Sequence, residues 1–465
     1  MIENKQFTGN NNIKVIKGLL KNKNALISIF ITLIILCVFV FIANTTLPFI
    51  TVSENGITGN SFLEMISLLG GGGLGSASLF AIGISPYITS QIIFQILSSE
   101  LVPPIYRMIK HDGERGRKRV ESWTRIFTLP LAYLQSFSIL QFALSSGIFQ
   151  FSGPNGETEL TPFFTFFYLT VMTAGTFIAI FLGDLITKRG VGNGISLIIL
   201  SGILSSFING FISTFQSISL ELGQGKIDSI IAFIVYILFY MLLLSAVVFI
   251  TGSTRKIPIQ QTGEGLITNL TELPYLPIKL TSAGVIPVIF ASALLTIPST
   301  ITSIINDVSN PFSIFVSNYL ELTTPVGLVI YIILIILFTF FYSYIQLNPG
   351  KISEQFKKSG KYIPGIQVGK PTDAYITKIL FRINWIGSPF LAFISALPYA
   401  ASMITNDVIS SNSALGGTAI IIIVSITLEF WDSIKATATT SSYVSKRRTI
   451  QQETKTVNAI EDSLW

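Results

Sequence analysis

The chain has very little of the chemistry that most enzyme and metal sites require. Its 465 residues include one cysteine, Cys37, and one histidine, His111. No intramolecular disulfide can form, no Cys/His zinc cluster is available, and a nucleophile that needs a histidine base would depend on His111. Only 12% of the residues are charged, against about 25% in soluble domains, and 50% are hydrophobic. Lipid is therefore the expected solvent for much of the chain.

Ten apolar stretches are each long enough to cross a bilayer as a helix, which takes ~20 residues. They predict an all-α polytopic membrane protein with ten transmembrane helices. The first stretch is expected to be retained, because it is longer than the ~7–15 residues of a signal-peptide core. The predicted spans are Ala25–Ala43, Gly75–Leu97, Ile126–Gly147, Phe163–Gly183, Gly194–Gln216, Ser229–Ile250, Leu280–Ile305, Val326–Leu347, Ile376–Tyr399 and Ala414–Trp431.

The placement of charge predicts the orientation of these helices. If the N-terminus is cytoplasmic, every Lys and Arg except Lys226 falls on the cytoplasmic side or at its membrane edge. This is the positive-inside pattern, so both termini are expected in the cytoplasm. The dense basic run Arg107–Arg125 could also bind anionic lipid or a protein partner. DNA is a poor candidate partner, because this run is a short connection between two membrane helices.

The first five spans and the last five spans show weak sequence similarity at corresponding positions. The second span contains Gly83-Ile84-Ser85-Pro86, and the seventh contains Gly284-Val285-Ile286-Pro287. An odd number of helices in each half makes such a repeat inverted, with a path for cargo near the matching interrupted helices. Coincidence also explains a sequence similarity this weak. Both prolines are expected to kink their helices.

Two further features bear on function. No ionisable residue lies in the middle of any span, which argues against an ion-coupled transporter but not against a carbonyl-lined site. The short apolar segment Ser61–Leu69 is followed by four glycines, Gly70–Gly73, which permit almost any backbone path. This segment is either a re-entrant half-helix or an interfacial helix in an external loop.

Several long motifs resemble the SecY family, whose members are central subunits of the bacterial protein-conducting channel. The resemblance covers essentially the whole membrane portion, and the motifs occur in the family's order. The matching stretches are Phe80–Leu97 (FAIGISPYITSQIIFQIL), Gly113–Val120 (GERGRKRV), Thr187–Ser196 (TKRGVGNGIS), Ala283–Ser292 (AGVIPVIFAS) and Lys358–Ile366 (KSGKYIPGI).

The resemblance implies two inverted five-helix halves around a central hourglass pore. Such a channel passes unfolded secretory proteins across the membrane and releases membrane helices laterally into lipid. The implied organisation is a cytoplasmic leader (1–24), an N-terminal half (25–216) with a plug at 61–73, an external hinge loop (217–228), a C-terminal half (229–432) and a cytoplasmic tail (433–465).

The resemblance also implies three sets of residues in the membrane. A pore ring of branched apolar side chains would consist of Ile84, Ile88, Ile195, Ile199, Ile289 and Ile422. The plug, resting on the outer side of this ring, would include Phe62, Leu63, Met65, Ile66, Gly70, Gly71, Gly72 and Gly73. The lateral gate, through which signal sequences reach lipid, would be marked by Pro86, Thr89, Pro287 and Ile297.

The family's partners imply a fourth set of residues. The SecA ATPase or a ribosome would supply the driving force and dock on Arg255, Lys256, Lys357, Lys358 and Lys361. SecE would clamp the two halves, SecG would attach peripherally, and preproteins with signal sequences would be the cargo. The family commonly has Arg where this chain has Gln367, and the segment Gln261–Glu264 also departs from the family pattern.

The resemblance implies a non-enzymatic protein of the bacterial plasma membrane, with no cofactor and no metal. Two alternatives to this function stay open. One is a small-solute secondary transporter built on inverted repeats, although such a transporter would need polar groups that converge on one binding site. The other is an accessory SecY-like channel dedicated to a few substrates, which the altered loops allow.

Overall fold

Helices occupy the positions of all ten predicted spans. The computed structural model describes residues 23–52, 77–98, 105, 113–145, 147–152, 161–223, 228–262, 274–305, 310–322, 324–405 and 418–437. The predicted plug at 61–73, most of the leader and most of the tail lie outside these ranges. Within the described residues, five helices are long and apolar enough to cross a membrane, and shorter apolar helices accompany them.

The helices are numbered in chain order. Those of the N-terminal half are α1 (Lys23–Ala43), α2 (Ser85–Leu97), α3 (Glu114–Ser145), α4 (Pro162–Arg189) and α5 (Gly194–Gly223). Those of the C-terminal half are α6 (Asp228–Gly252), α7 (Ile286–Ile305), α8 (Pro311–Tyr319), α9 (Pro325–Leu347), α10 (Pro349–Ser359), α11 (Lys370–Thr405) and α12 (418–437).

The second and seventh spans are helical over only part of their length, which corrects the prediction for both. Residues 77–84 and 280–285 form turns, and the helices begin at Ser85 and Ile286. Pro86 and Pro287 are the second residues of these helices, where a missing backbone N–H costs nothing. The predicted kinks at these prolines are therefore wrong. Prolines lie inside helices elsewhere, at Pro130 in α3 and Pro298 in α7.

Among the described residues, three two-stranded antiparallel sheets are added to the helical frame, and the sequence analysis predicted none of them. Strand β1 (Ile50–Val52) pairs with β2 (Phe149–Phe151), and β3 (Thr254–Pro258) pairs with β5 (Tyr275–Lys279). The two-residue strands β4 (Gln260–Gln261) and β6 (Lys361–Tyr362) form the third pair. The first sheet joins two loops of the N-terminal half, and the other two join loops of the C-terminal half.

One apolar cluster runs through both halves of the molecule. It includes buried residues from each half, such as Phe39, Ile84, Ile199, Ile335 and Ile422. The outward faces of the same helices are also apolar. Large side chains lie exposed along them, among them Phe41 (75%) and Phe163 (74%). An outer surface this apolar fits a lipid environment, as expected of a polytopic membrane protein.

Candidate functional site

Five of the six isoleucines predicted to form a ring lie close to the N-terminal ends of three helices. Ile84 is the N-cap residue of α2, and Ile88 lies in the first turn of that helix. Ile195 and Ile199 occupy the first two turns of α5, and Ile289 lies in the first turn of α7. Ile422 lies in α12. All six belong to the apolar cluster that joins the two halves.

These isoleucines are packed against other apolar side chains and little exposed to solvent. Ile84 and Ile422 are fully buried, Ile88, Ile199 and Ile289 nearly so, and Ile195 is partly buried against the cluster. Branched aliphatic side chains offer no hydrogen bond to water or to an ion. A narrow passage lined by such groups dewets and blocks ions, yet the side chains can part around an extended polypeptide of any sequence.

Close backbone packing fixes the start of α5, which carries Ile195 and Ile199. Gly194 packs against the carbonyl of Gly183 in α4 so closely that a Cβ at Gly194 would overlap it. The Gly194 N–H donates to Thr187 Oγ1 at 2.9 Å, and the Ile195 N–H donates to Asn193 Oδ1 at 3.2 Å. Glycine therefore permits the close approach, and side-chain oxygens satisfy the first N–H groups of the helix.

A small buried polar cluster holds the turn that precedes α7 and Ile289. Ser282 Oγ lies 3.0 Å from Ser343 Oγ and 3.4 Å from Asn384 Oδ1, and Ser343 Oγ donates to Asn384 Oδ1 at 3.0 Å. Ser343 belongs to α9 and Asn384 to α11. The cluster thus ties residues 280–285 to two helices, which sets the position of the first turn of α7.

The predicted gate residues lie on two helices that touch. Pro86 and Thr89 are buried in α2, and the Thr89 hydroxyl donates to Ser85 O at 3.0 Å. Pro287 is buried at the start of α7, whereas Ile297 is 43% exposed farther along that helix. Helix α7 contacts α2 and packs along α3, so α2 and α3 meet the C-terminal half at this seam.

The five predicted docking residues lie on loops that fold together. Arg255 and Lys256 are on β3, Lys357 and Lys358 are at the end of α10, and Lys361 is on β6; all five are exposed. Pairing of β4 with β6 joins the first loop to the second, with Lys361 opposite Gln261. We call the unit formed by 254–262, 274–279 and 349–369 the basic platform.

The basic platform has its own apolar core. Ile257, Ile259 and Ile278 from the first loop pack with Phe356 and Ile363 from the second, against residues of α11. The core gives the two loops one defined shape, so their basic side chains are presented from a folded surface. The platform also includes Gln367, whose carbonyl accepts a hydrogen bond of 2.7 Å from Thr372 Oγ1.

The end of the basic run Arg107–Arg125 has a structural role. Arg125 Nη2 lies 2.6 Å from Glu121 on its own helix α3 and 2.8 Å from Asp184 on α4. Asp184 is the less exposed of the two acidic partners, so the pair with it is the better shielded from solvent. Arg125 therefore joins α3 to α4. Arg115, Arg117 and Arg119 are exposed on the first turns of α3.

Sequence reasoning missed α10 and the folding of the platform. Helix α10 had a readable signal: Asn348 caps it by accepting from the Lys351 N–H at 3.1 Å, Pro349 is its first residue, and Gly360 ends it with φ 63°. The pairing of β4 with β6 had no comparable signal, because strands of two residues show no alternation.

The fold and site have counterparts among known proteins. The family model described as SecY matches residues 78–431. The protein translocase subunit SecY of Mycoplasma pneumoniae is 46% identical over 444 residues, covering 94% of this chain and 91% of its own length. That of Mycoplasmoides gallisepticum is 47% identical over 445 residues, covering 94% and 87%.

Solved channels share the fold at low identity. A structure described as a protein conducting channel is 17% identical with a TM-score of 0.62, covering 89% of this chain and 92% of the other. Sec61 in the canine ribosome–channel complex is also 17% identical with the same coverage and a TM-score of 0.59. The similarity to these structures supports the ten-helix pore architecture, and the sequence relatives show to which family the chain belongs. The chain belongs to the SecY family of protein-translocation channel subunits.

Proposed function

We propose that this chain passes unfolded, signal-bearing preproteins across the bacterial plasma membrane and releases membrane helices sideways into lipid. The observation that carries the proposal is that six isoleucines, from four helices in both halves, lie in or against one apolar cluster. Close relatives named protein translocase subunit SecY support it. They also disfavour the small-solute transporter.

In this proposal the six isoleucines form the pore ring. It seals the channel to ions when idle and parts around a polypeptide in transit. Because aliphatic side chains make no directional bonds, the ring accepts cargo without a fixed sequence. The plug at 61–73 covers the ring on its outer side and swings away on the Gly70–Gly73 hinge. A solved SecY channel of the same fold, 18% identical, has a plug domain described as stabilising its closed state and maintaining a membrane seal.

The lateral gate is the seam where helices α2 and α3 of the N-terminal half meet helices α7 and α9 of the C-terminal half. Signal sequences leave the pore there, and Thr89 and Ile297 face each other when the gate is shut. Transfer of an apolar helix from a wet pore to lipid is downhill, so the gate needs only to open and let the segment partition. The turn-to-helix junctions at Ser85 and Ile286 are where α2 and α7 move.

The basic platform receives the partner that drives transport. The chain itself performs no catalytic step, and SecA or a ribosome docks on Arg255, Lys256, Lys357, Lys358 and Lys361. The canine Sec61 and yeast Ssh1 channels of this fold are complexes with ribosomes. SecE clamps the two halves and SecG attaches peripherally. The platform and both termini face the cytoplasm, as the distribution of Lys and Arg requires.

Transport by the purified chain tests this function. The chain would be co-reconstituted with SecE, SecG and SecA in proteoliposomes, and a radiolabelled preprotein would be added with ATP. We expect protease-protected preprotein that depends on both ATP and the signal sequence. Protection that does not need the signal sequence, or none above empty vesicles, contradicts the proposal.

A further inference from the structure

The outward face of α11 carries two basic side chains beside exposed aromatic rings. Lys378 and Arg382 are both exposed. Phe381 is 55% exposed and Trp385 is 64% exposed. All four lie on one side of the helix, because residues three, four and seven apart are neighbours on a helix surface. They fall within Lys370–Leu397, a stretch long and apolar enough to cross a membrane, so this face places charge on a surface that meets lipid.

The opposite face of the same turns is fixed by packing. Ile379, Leu380 and Ile383 are buried in the apolar core of the basic platform. They alternate along the chain with the exposed residues of the outward face. Rotation of α11 would expose this core, so the basic and aromatic side chains are held on the outside of the helix.

The aromatic rings form a cluster that bridges α11 and α9. The ring of Phe340, in α9, has its centroid 5.1 Å from that of Phe381 and 6.3 Å from that of Trp385. The centroids of Phe381 and Trp385 are 6.5 Å apart. Two helices therefore support one apolar surface next to the basic side chains. We call this set of residues the outer patch: Phe340, Lys378, Phe381, Arg382 and Trp385.

The two cations of the outer patch have no counter-ion in the described part of the chain. None of the ion pairs among the described residues includes Lys378 or Arg382. Asp373, the acidic residue of α11, lies five residues before Lys378 and thus about 140° around the helix. Like charges four residues apart repel each other. An anion from outside these residues would relieve that repulsion.

The position of the two cations indicates which anion this is. A charged side chain on the lipid-facing side of a membrane helix is costly unless its charged end reaches the headgroup region. Trp385 lies seven residues beyond Lys378, about 10 Å farther along the axis and away from the platform. The cations are therefore level with lipid phosphates when the rings are level with the upper acyl chains. Guanidinium and ammonium groups both bind phosphate oxygens.

We propose that the outer patch binds an anionic phospholipid. Lys378 and Arg382 hold the headgroup phosphate, and the rings of the outer patch pack against the acyl chains. A zwitterionic lipid fits less well, because its own cation offsets the charge of its phosphate. The lipid belongs to the leaflet on the side of the basic platform, which is cytoplasmic in the topology proposed above. The inference goes beyond the proposed function and requires only that α11 crosses the membrane.

Trp385 is a built-in reporter of the lipid that contacts the patch. Trp123→Phe, Trp431→Phe and Trp465→Phe leave it as the one tryptophan of the chain. The full chain would be reconstituted with tryptophan-free SecE and SecG in mixed vesicles of phosphatidylglycerol and phosphatidylcholine. One of the two lipids would carry bromine on its acyl chains, which quenches the fluorescence of a tryptophan in contact. Quenching by each brominated lipid measures the relative affinity of the patch for the two headgroups.

The expected preference follows from the number of cations. A Lys or Arg at a membrane surface contributes about 1 kcal/mol of attraction to anionic lipid, about fivefold in a binding constant. We expect Trp385 to report roughly 25-fold stronger binding of phosphatidylglycerol than of phosphatidylcholine. Lys378→Gln and Arg382→Gln should each lower this preference about fivefold, and the double variant should bind both lipids equally.

Two controls separate a specific site from general attraction. Lys188→Gln with Arg189→Gln removes the same charge from the exposed end of α4 and should leave the preference at Trp385 unchanged. Ile333→Trp, combined with Trp385→Phe, places the reporter on an exposed position of α9, a helix whose sequence contains no charged residue. That reporter should show no preference between the two lipids.

A second measurement needs no change of tryptophan. Native mass spectrometry would count the phosphatidylglycerol molecules retained by the purified complex. The variant with both Lys378→Gln and Arg382→Gln should retain fewer than the parent, whereas the α4 double variant should match the parent. Equal retention by all three complexes would overturn the inference.

The fluorescence outcomes are equally decisive. Equal quenching of Trp385 by both brominated lipids in the parent chain, or a preference that survives loss of both cations, would overturn the inference. Quenching by neither lipid would show that a protein covers the patch, and would overturn it too. A preference lost in the α4 double variant would show general attraction to the basic side in place of a site. Both measurements record lipid binding without transport, so failure of the proposed function would leave this inference standing.

Discussion

Gly83 and Gly284 adopt the same left-handed backbone conformation, with φ of 56° and 62°, just before helices α2 and α7 begin. Each is followed by a helix with proline in its first turn, and each helix contributes to the isoleucine cluster. The weak sequence similarity between the two halves therefore corresponds to a shared backbone geometry. Left-handed φ favours glycine because other residues pay a Cβ clash.

The first prediction concerns this geometry. No atom lies within 4 Å of a Cβ built on Gly284, so the cost of Gly284→Ala is conformational and should be about 1–2 kcal/mol. Thermal unfolding of the purified chain in detergent should show a lower midpoint. Gly252→Ala is the matched control, since its Cβ also meets nothing but its φ is ordinary. An equal loss of stability in both variants would contradict this reading of Gly284.

The second prediction concerns the seal. Ile84→Ser with Ile289→Ser should leave the fold intact but make vesicles leak small ions, because the hydroxyls let water and ions wet the ring. Ion flux from dye-loaded proteoliposomes measures the leak. Ile333→Ser, on the exposed face of α9, supplies the same chemical change away from the cluster and should stay tight. Unchanged tightness in the double variant would remove the ring assignment.

The third prediction concerns the gate. Cysteines at Thr89 and Ile297, in a Cys37→Ser background, should cross-link on oxidation and block secretion until the bond is reduced. The physical reason is that a covalent tie between α2 and α7 prevents the seam from parting. Each single-cysteine variant should secrete normally under the same oxidant. Secretion that continues when the two cysteines are fully cross-linked would contradict the gate assignment.

The fourth prediction concerns the basic platform. Lys357→Gln with Lys358→Gln should weaken binding of SecA or the ribosome and reduce its dependence on salt, because two charges leave the contact. Co-sedimentation at several salt concentrations measures both effects. Lys188→Gln, at the exposed end of α4 outside the platform, should behave as the parent chain. If it weakened binding equally, attraction would be general to the basic side and the platform assignment would fail.

The sequence predicted where the membrane helices lie, because apolar runs of the required length are a strong local signal. Boundaries at polar ends were weaker: α3 begins at Glu114, well before the predicted Ile126, since a helix can extend into water with charged residues. The placement of Pro86 was also missed. A proline inside an apolar run fits a kink and a helix start equally well until the preceding backbone is known.

The site was predicted less completely than the helices, for a physical reason. The six isoleucines could be named from the family resemblance, but an isoleucine in an apolar helix has the same local pattern whether it faces lipid, a neighbour or a pore. Contacts between residues distant in sequence, such as Gln95 with Tyr342 or Gln261 with Lys361, depend on tertiary packing. No local pattern encodes them.

Site-specific photo-cross-linking from Ile289 tests the central claim most directly. A photoreactive residue would replace Ile289 while a secretory protein is stalled partway across the membrane, with the same probe at the exposed Ile333 as a control. The account predicts a covalent adduct between position 289 and the stalled chain, absent at 333 and absent when the signal sequence is deleted. A reactive, membrane-inserted probe at 289 that never captures the stalled chain would contradict it.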